Sequence, residues 1–208
     1  MNLEKKFYNK YFVEITEQQA NQTDDFYINY LQDGILKKIE DINSDFFMGH
    51  YYLNSNENLQ SKIQDLCVLQ NQRWVLHTKE SDGFGYTLWN WIDVDNNGST
   101  LFRGKQVLDS QNREIFNSSI NTSDNLMLNA TKKYYSDSSQ FPLLEFEYDG
   151  QNNILFIKDK KDTWGLGGGW PMSKDELIIL DSNLGLFPWG QHIYFHSAIP
   201  FLPNSTII

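Results

Sequence analysis

Over roughly the first 160 residues, apolar and polar positions alternate in short runs, and the runs end at turn-forming residues. Alternation with a period of two is the mark of a strand with one face buried, and aromatic or β-branched runs bounded by Asn-Gly or Asp-Gly predict hairpins. Phe26–Leu31 and Ile35–Ile39 flank Asp33-Gly34. Tyr86–Val94 and Ser99–Leu108 flank Asn96-Asn97-Gly98, and Leu143–Tyr148 and Ile154–Lys158 flank Asp149-Gly150. Both dipeptides tolerate the positive φ of a tight hairpin turn, so an antiparallel sheet is expected.

Two stretches carry helical spacing instead. Leu59, Ile63 and Leu66 follow the capping residues Ser55 and Asn56 and predict a helix over 57–66, although Leu66–Leu69 would also suit the start of a strand through Trp74, Leu76 and Thr78. Leu126, Met127, Ala130 and Tyr134 suggest a second helix over 123–135. Ser173-Lys174-Asp175-Glu176 fits a capping box, but the Leu-Ile-Ile-Leu run after it suits a strand, and both readings stay open. The expected class is α+β, mainly antiparallel β: a hairpin-rich twisted sheet, or a partly open barrel or sandwich, with one or two short helices.

All five prolines lie after residue 141, and a Gly-Leu-Gly-Gly-Gly run at 165–169 is the candidate flexible loop. A boundary there would leave only about 40 residues to fold alone, which favours a single domain over 1–208. Residues 1–160 then form the hairpin-rich sheet, and the Gly-, Trp- and Pro-rich segment 161–208 packs on it. No repeat of fixed period is visible beyond a loose likeness among the hairpins.

Charge narrows the function. Asp plus Glu number 27 against 17 Lys plus Arg, a net charge of −10 that disfavours nucleic acid and anionic membranes and favours basic protein surfaces. The lone Cys67, in an apolar run, is expected in the core and leaves no cysteine-based zinc site or internal disulfide. The amino terminus shows no export signal and no window reaches ~18 apolar residues, so a cytoplasmic protein without a membrane span is expected.

Candidate chemistry is sparse. His192 and His196 could join His50 or His77 around a metal, yet Ile193, Tyr194 and Phe195 between them look like strand packing, and no metal or other cofactor is expected. Asp93-Val94-Asp95-Asn96-Asn97-Gly98 opens like a calcium loop, but Gly104 stands where the closing glutamate belongs, so a hairpin turn is expected. Glu145 and Glu147 share one strand face, the minimum for paired-carboxylate chemistry and equally the pattern of a solvated face. The glycine run matches neither phosphate-binding pattern. Trp89 and Trp91 share a face with Thr87, while Trp164, Trp170 and Trp189 fall on expected loops, where aromatic side chains serve as binding anchors.

No catalytic residue is assigned. The first functional reading is a non-enzymatic acidic module that binds a basic protein through Trp89, Trp91, Trp164, Trp170, Trp189, Glu145 and Glu147. The hairpin style of residues 7–52, under a quarter of the chain, resembles that of bacterial immunity proteins. The resemblance implies a cytoplasmic inhibitor that neutralises a secreted toxin. A second reading is a β domain for a small molecule or carbohydrate, stacking it on Trp164, Trp170 and Trp189. An enzyme drawing on His192, His196, Glu145 or Asp181 is the third. Oligomeric state is left open by the sequence.

Overall fold

A computed structural model describes residues 3–43, 46–137, 141–165, 169–199 and 201–203. Strand accounts for 45% and helix for 17%, so the chain is mainly antiparallel β with a few short helices, as its patterning predicts. Two compact units form, one from residues 1–80 and 89–103, the other from 81–88 and 104–208.

In the first unit, β1 (Glu4–Asn9), β2 (Glu14–Ile15), α1 (Glu17–Ala20), β3 (Asp25–Gln32), β4 (Ile35–Asn43) and β5 (Phe46–Tyr52) follow in sequence. Next come α2 (Leu59–Lys62), which runs on as a π-helical turn over Ile63–Val68, and β6 (Trp74–Gly83). Strands β2-β1-β3-β4-β5 are antiparallel neighbours, whereas β5 and β6 pair in parallel. Parallel neighbours need a crossover, and the helical segment provides it. The expected 57–66 helix is therefore present, shifted to 59–68 and capped by Asn58, whose side chain accepts from Ser61 N–H. Ile63 and Cys67 from this segment meet Leu53, Trp74, Leu76 and Val94 in one core. Burial pushes the Cys67 thiol up to about 11.

The hairpin turn at Asp33-Gly34 has φ of 53° and 78°, both positive as a two-residue turn of this hand requires. Five other loops share a different device. Asn9, Asp95, Asp109, Asn121 and Asp149 each accept, at 2.8–3.1 Å, the N–H groups two and four residues ahead. The residue three ahead takes positive φ: Phe12, Gly98, Asn112, Asp124 and Asn152. At Asp149-Gly150 the left-handed residue is thus Asn152 and not the glycine. Asp95 spends its carboxylate closing its own loop, as the hairpin reading of that stretch expects.

β7 (Tyr86–Val94) and β8 (Thr100–Asp109), like β6, contribute residues to both units. The second unit continues with β9 (Glu114–Ser119), β10 (Lys132–Tyr135), β11 (Leu144–Tyr148), β12 (Ile154–Asp159) and β13 (Pro171–Met172), each antiparallel to the one before. The helix expected over 123–135 is absent. Asp124 is left-handed, Leu128–Ala130 is a single 3-10 turn, and Lys132–Tyr135 is β10. Strand partners on both edges of β10 outweigh a helical spacing that arose by coincidence.

Ser173 does cap a helix, α3 (Lys174–Asp181). Its Oγ accepts from Glu176 N–H at 3.2 Å, and Glu176 Oε2 accepts from Ser173 N–H at 2.7 Å. Only Leu177 of the apolar run is fully buried, while Ile178 and Ile179 face outward, so the run serves a helix and not a strand. The stretch Ile193–His196, expected as strand packing, is also a 3-10 turn.

Sheet side chains hold the carboxy-terminal segment by its carbonyls. Tyr148 Oη donates to Phe195 O at 2.9 Å, and Lys133 Nζ donates to Tyr194 O at 2.6 Å with the Tyr194 ring centroid 3.7 Å away. Burial depresses the Lys133 ammonium to about 6. Asp181, itself buried, accepts the N–H groups of Leu186 and Phe187 at 2.9 and 3.0 Å. Replacing Asp181 with alanine strands both donors and is expected to cost about 2–4 kcal/mol in urea unfolding. The Asp181→Asn variant, which keeps an acceptor, is expected to lose less.

Candidate functional site

The tryptophans separate sharply. Trp89 is 7% exposed and meets Tyr52 edge to face at 5.1 Å, which makes it a core residue of the first unit. Trp91, on the same strand face, is half-buried. Trp164 packs against the second unit's core, and its main-chain N–H donates to Asp159 Oδ2 at 2.8 Å. Trp170, next to β13, is 66% exposed. Of the glycine run between them, Leu166–Gly168 lies outside the described residues, and Gly165 and Gly169 have φ of 72° and 84°.

Trp189 lines a groove of about 460 Å³ with Asn153, Ile154, Leu155, Ser173, Lys174, Asp175 and His196. The chain builds it where β12 begins, α3 starts and the 3-10 turns of the carboxy-terminal segment pass. The His196 imidazole stacks flat on Trp189, centroids 4.2 Å apart and planes within 5°, and its Nε2 lies 2.9 Å from Trp189 O. Lys174 Nζ lies 5.9 Å from the same indole centroid. Around these residues stand carboxylates. Asp175 is exposed, Asp149 is held well ionised by the Asn153 N–H groups, and Glu176 by Ser173.

Glu145 and Glu147 do point to one face, but lysines surround them. Lys132, Lys158 and Lys160 lie 2.8, 3.5 and 3.1 Å from Glu145, and Glu147 takes Lys158 at 2.7 Å and Lys132 at 3.3 Å. Burial, at 4% exposure, would raise the Glu145 carboxyl, yet hydrogen bonds from Lys132 and Lys160 hold it down to about 2. A carboxylate this committed stays ionised and is unsuited to donate a proton at neutral pH. Nearby Glu114 moves the other way, its carboxyl raised by burial although Gln106 and Asn117 donate to it.

The four histidines do not gather. His192 stacks on Phe187 at 4.2 Å and His196 on Trp189, both in the second unit. His50 and His77 pair with each other in the first unit, Nδ1 to Nε2 at 3.1 Å, with Tyr52 stacked 4.2 Å from His77. His77 Nδ1 is buried without a partner among the described residues, which favours the tautomer whose Nε2–H donates to His50. Burial lowers the His50 imidazole to about 4 and His77 well below its ordinary value. The sequence signal for this pair, two histidines on strands, is too common to single out without the β5–β6 register that brings His50 and His77 to one face. Among the described residues, no three His, Cys, Asp or Glu side chains are placed to hold a metal ion, and no helix is long and apolar enough to cross a membrane.

Nothing matches this chain among protein-family models, curated proteins or solved structures. The groove beside Trp189 and the ion-pair lattice around Glu145 therefore carry the functional argument alone.

Proposed function

We propose that the protein acts by binding a basic protein surface without transforming a substrate, as a cytoplasmic inhibitor of the immunity type that neutralises a basic toxin. The observation that supports this reading is where the cations go. In the second unit, Lys132, Lys158 and Lys160 are tied to Glu145 and Glu147, and Lys133 is buried on a main-chain carbonyl. Asp175 and Glu176 meanwhile stand exposed beside the Trp189 groove. The surface beside the groove thus carries exposed carboxylates on a chain whose net charge is −10. Such a field accelerates encounter with a cationic protein, and the exposed Trp170 supplies an aromatic anchor.

Calorimetric titration against a panel of basic nuclease toxins tests the reading. One member is expected to form a one-to-one complex of micromolar affinity or tighter, lose its nuclease activity, and bind more weakly as salt is raised to about 0.3 M. The reading is abandoned if no panel member binds at micromolar concentration.

A further inference from the structure

The groove beside Trp189 lies along an unfinished sheet edge. β11 covers one side of β12, whereas β13 covers the other only opposite Ile157 and Lys158. On the β13 side, Asp159 O accepts from Gly169 N–H at 2.7 Å, and on the β11 side Lys160 N–H reaches Leu143 O at 2.9 Å. Strand alternation therefore turns the main chain of Ile157, and next of Leu155, toward the β13 edge. β13 ends at Met172, and Ser173 caps α3, so the chain leaves the sheet just before it would pair with Leu155. Among the described residues no strand lies beside Leu155 on that edge. The register shift between β11 and β12 at Glu147/Tyr148 makes Leu155 the extra residue of a bulge, with its side chain exposed. A bulge breaks up a long sticky edge, and here it leaves a short one floored by the groove.

Charge selects what fits. Asp175 lines the groove, Asp149 is bonded to the lining Asn153, and Glu176 to the lining Ser173, against the single lysine, Lys174, among the lining residues. We propose that the groove accepts an extended lysine- or arginine-bearing segment of the partner protein, which adds to β12 at Leu155 as a short strand. Its main chain pairs with Leu155, its aliphatic stems lie on Leu155 and Trp189, and its charged ends reach Asp149 and Asp175. This deepens the basic-partner reading and rests on it.

The probe is an acetylated, amidated hexapeptide alternating lysine and valine, titrated into the full isotope-labelled chain and followed by amide NMR. Saturation is expected to slow hydrogen exchange of the Leu155 amide by about tenfold or more. Methylating alternate peptide nitrogens, which keeps charge and removes strand pairing, is expected to weaken binding by about tenfold or more, as is the surface variant Asp175→Lys. Equal binding of the methylated peptide with no protection at Leu155 overturns strand addition and leaves the basic-partner reading standing. Failure of the peptide to bind, while the whole protein still complexes a basic nuclease, overturns the groove as the docking place. Equal binding of a glutamate-valine hexapeptide removes the charge argument, and with it the support for a basic partner. Displacement of the peptide by a neutral sugar marks the groove as a small-molecule site and overturns the proposal.

Discussion

Changing Gly49 to alanine is expected to destabilise the protein by about 3 kcal/mol or more, at the upper end of what overpacking costs. Gly49 on β5 stands directly across from Trp74 on β6, and a Cβ built on it would clash with Cζ3, Cε3 and Cη2 of the Trp74 six-membered ring. Trp74 cannot simply step aside. It is 2% exposed, meets Phe47 edge to face at 5.3 Å, and forms the largest side chain of a core with Leu53, Ile63, Cys67, Leu76 and Val94. Backbone freedom is not the cause, since Gly49 lies in an ordinary strand without positive φ. The requirement is purely one of space, and a double-mutant cycle isolates it. Trp74→Leu alone should lose stability by cavity formation, but in that background Gly49→Ala should cost under about 1 kcal/mol in urea unfolding, because the ring it strikes is gone. Strict additivity of the two substitutions refutes the steric account.

Hairpin β3–β4 is readable in the sequence because Asp33-Gly34 carries both the turn chemistry and the flanking alternation. The helix over 59–68 is readable because Leu59, Ile63 and Leu66 keep helical spacing, although its cap is Asn58 and not the expected Ser55 or Asn56. The same spacing misleads at 123–135, where β9 and β11 capture the segment as β10. Periodicity reports which residues want burial but not which neighbours arrive to bury them. Of the five-residue loops, those at Asp95 and Asp149 fall on predicted hairpin turns, whereas those at Asn9, Asp109 and Asn121 carry no Asn-Gly or Asp-Gly signal. The left-handed position, three residues past the capping Asp or Asn, is occupied by Gly98, Asn112, Asp124 and Asn152, types that tolerate it, and by Phe12, which does not announce it. Phe12 holds that costly conformation while its ring stacks on Tyr27 at 4.7 Å. Among the candidate binding residues, Trp170 and Trp189 were marked by their loop context. His196, Lys174 and Asp175 became part of the groove only through the meeting of α3 with the carboxy-terminal turns.

Lowering the pH from 7 to 5 is expected to destabilise the first unit through His50 and His77. In the unfolded chain each imidazole takes up a proton near its ordinary value of 6.5, whereas in the fold His50 resists protonation until about 4 and His77 to still lower pH. Above 6.5 both states hold the imidazoles neutral and the pair leaves stability independent of pH. As pH falls below 6.5, only the unfolded chain gains protons, and each group removes up to about 1.4 kcal/mol per pH unit, or about 3 kcal/mol for His50 alone by pH 4. The cause is local. Burial strips water from both rings, a charge on His50 would oppose one on His77, and Asp93, which would favour the charged His50, is engaged by Arg73 Nε at 2.8 Å. Glu145, held at about 2, contributes a loss in the same direction only below its ordinary 4.5, whereas Lys133, depressed to about 6, and His192, lowered by burial, add losses of their own between 7 and 5, so the share of the pair is the part that its removal abolishes. Urea midpoints across that interval should fall more steeply for the natural chain than for His50→Leu/His77→Phe, which removes both titrating rings and their mutual bond together and leaves only the slope of Lys133 and His192. Should that variant not fold, imidazole NMR of the natural chain decides the matter: signals of His50 and His77 that titrate near 6.5 in the folded state would rule the mechanism out.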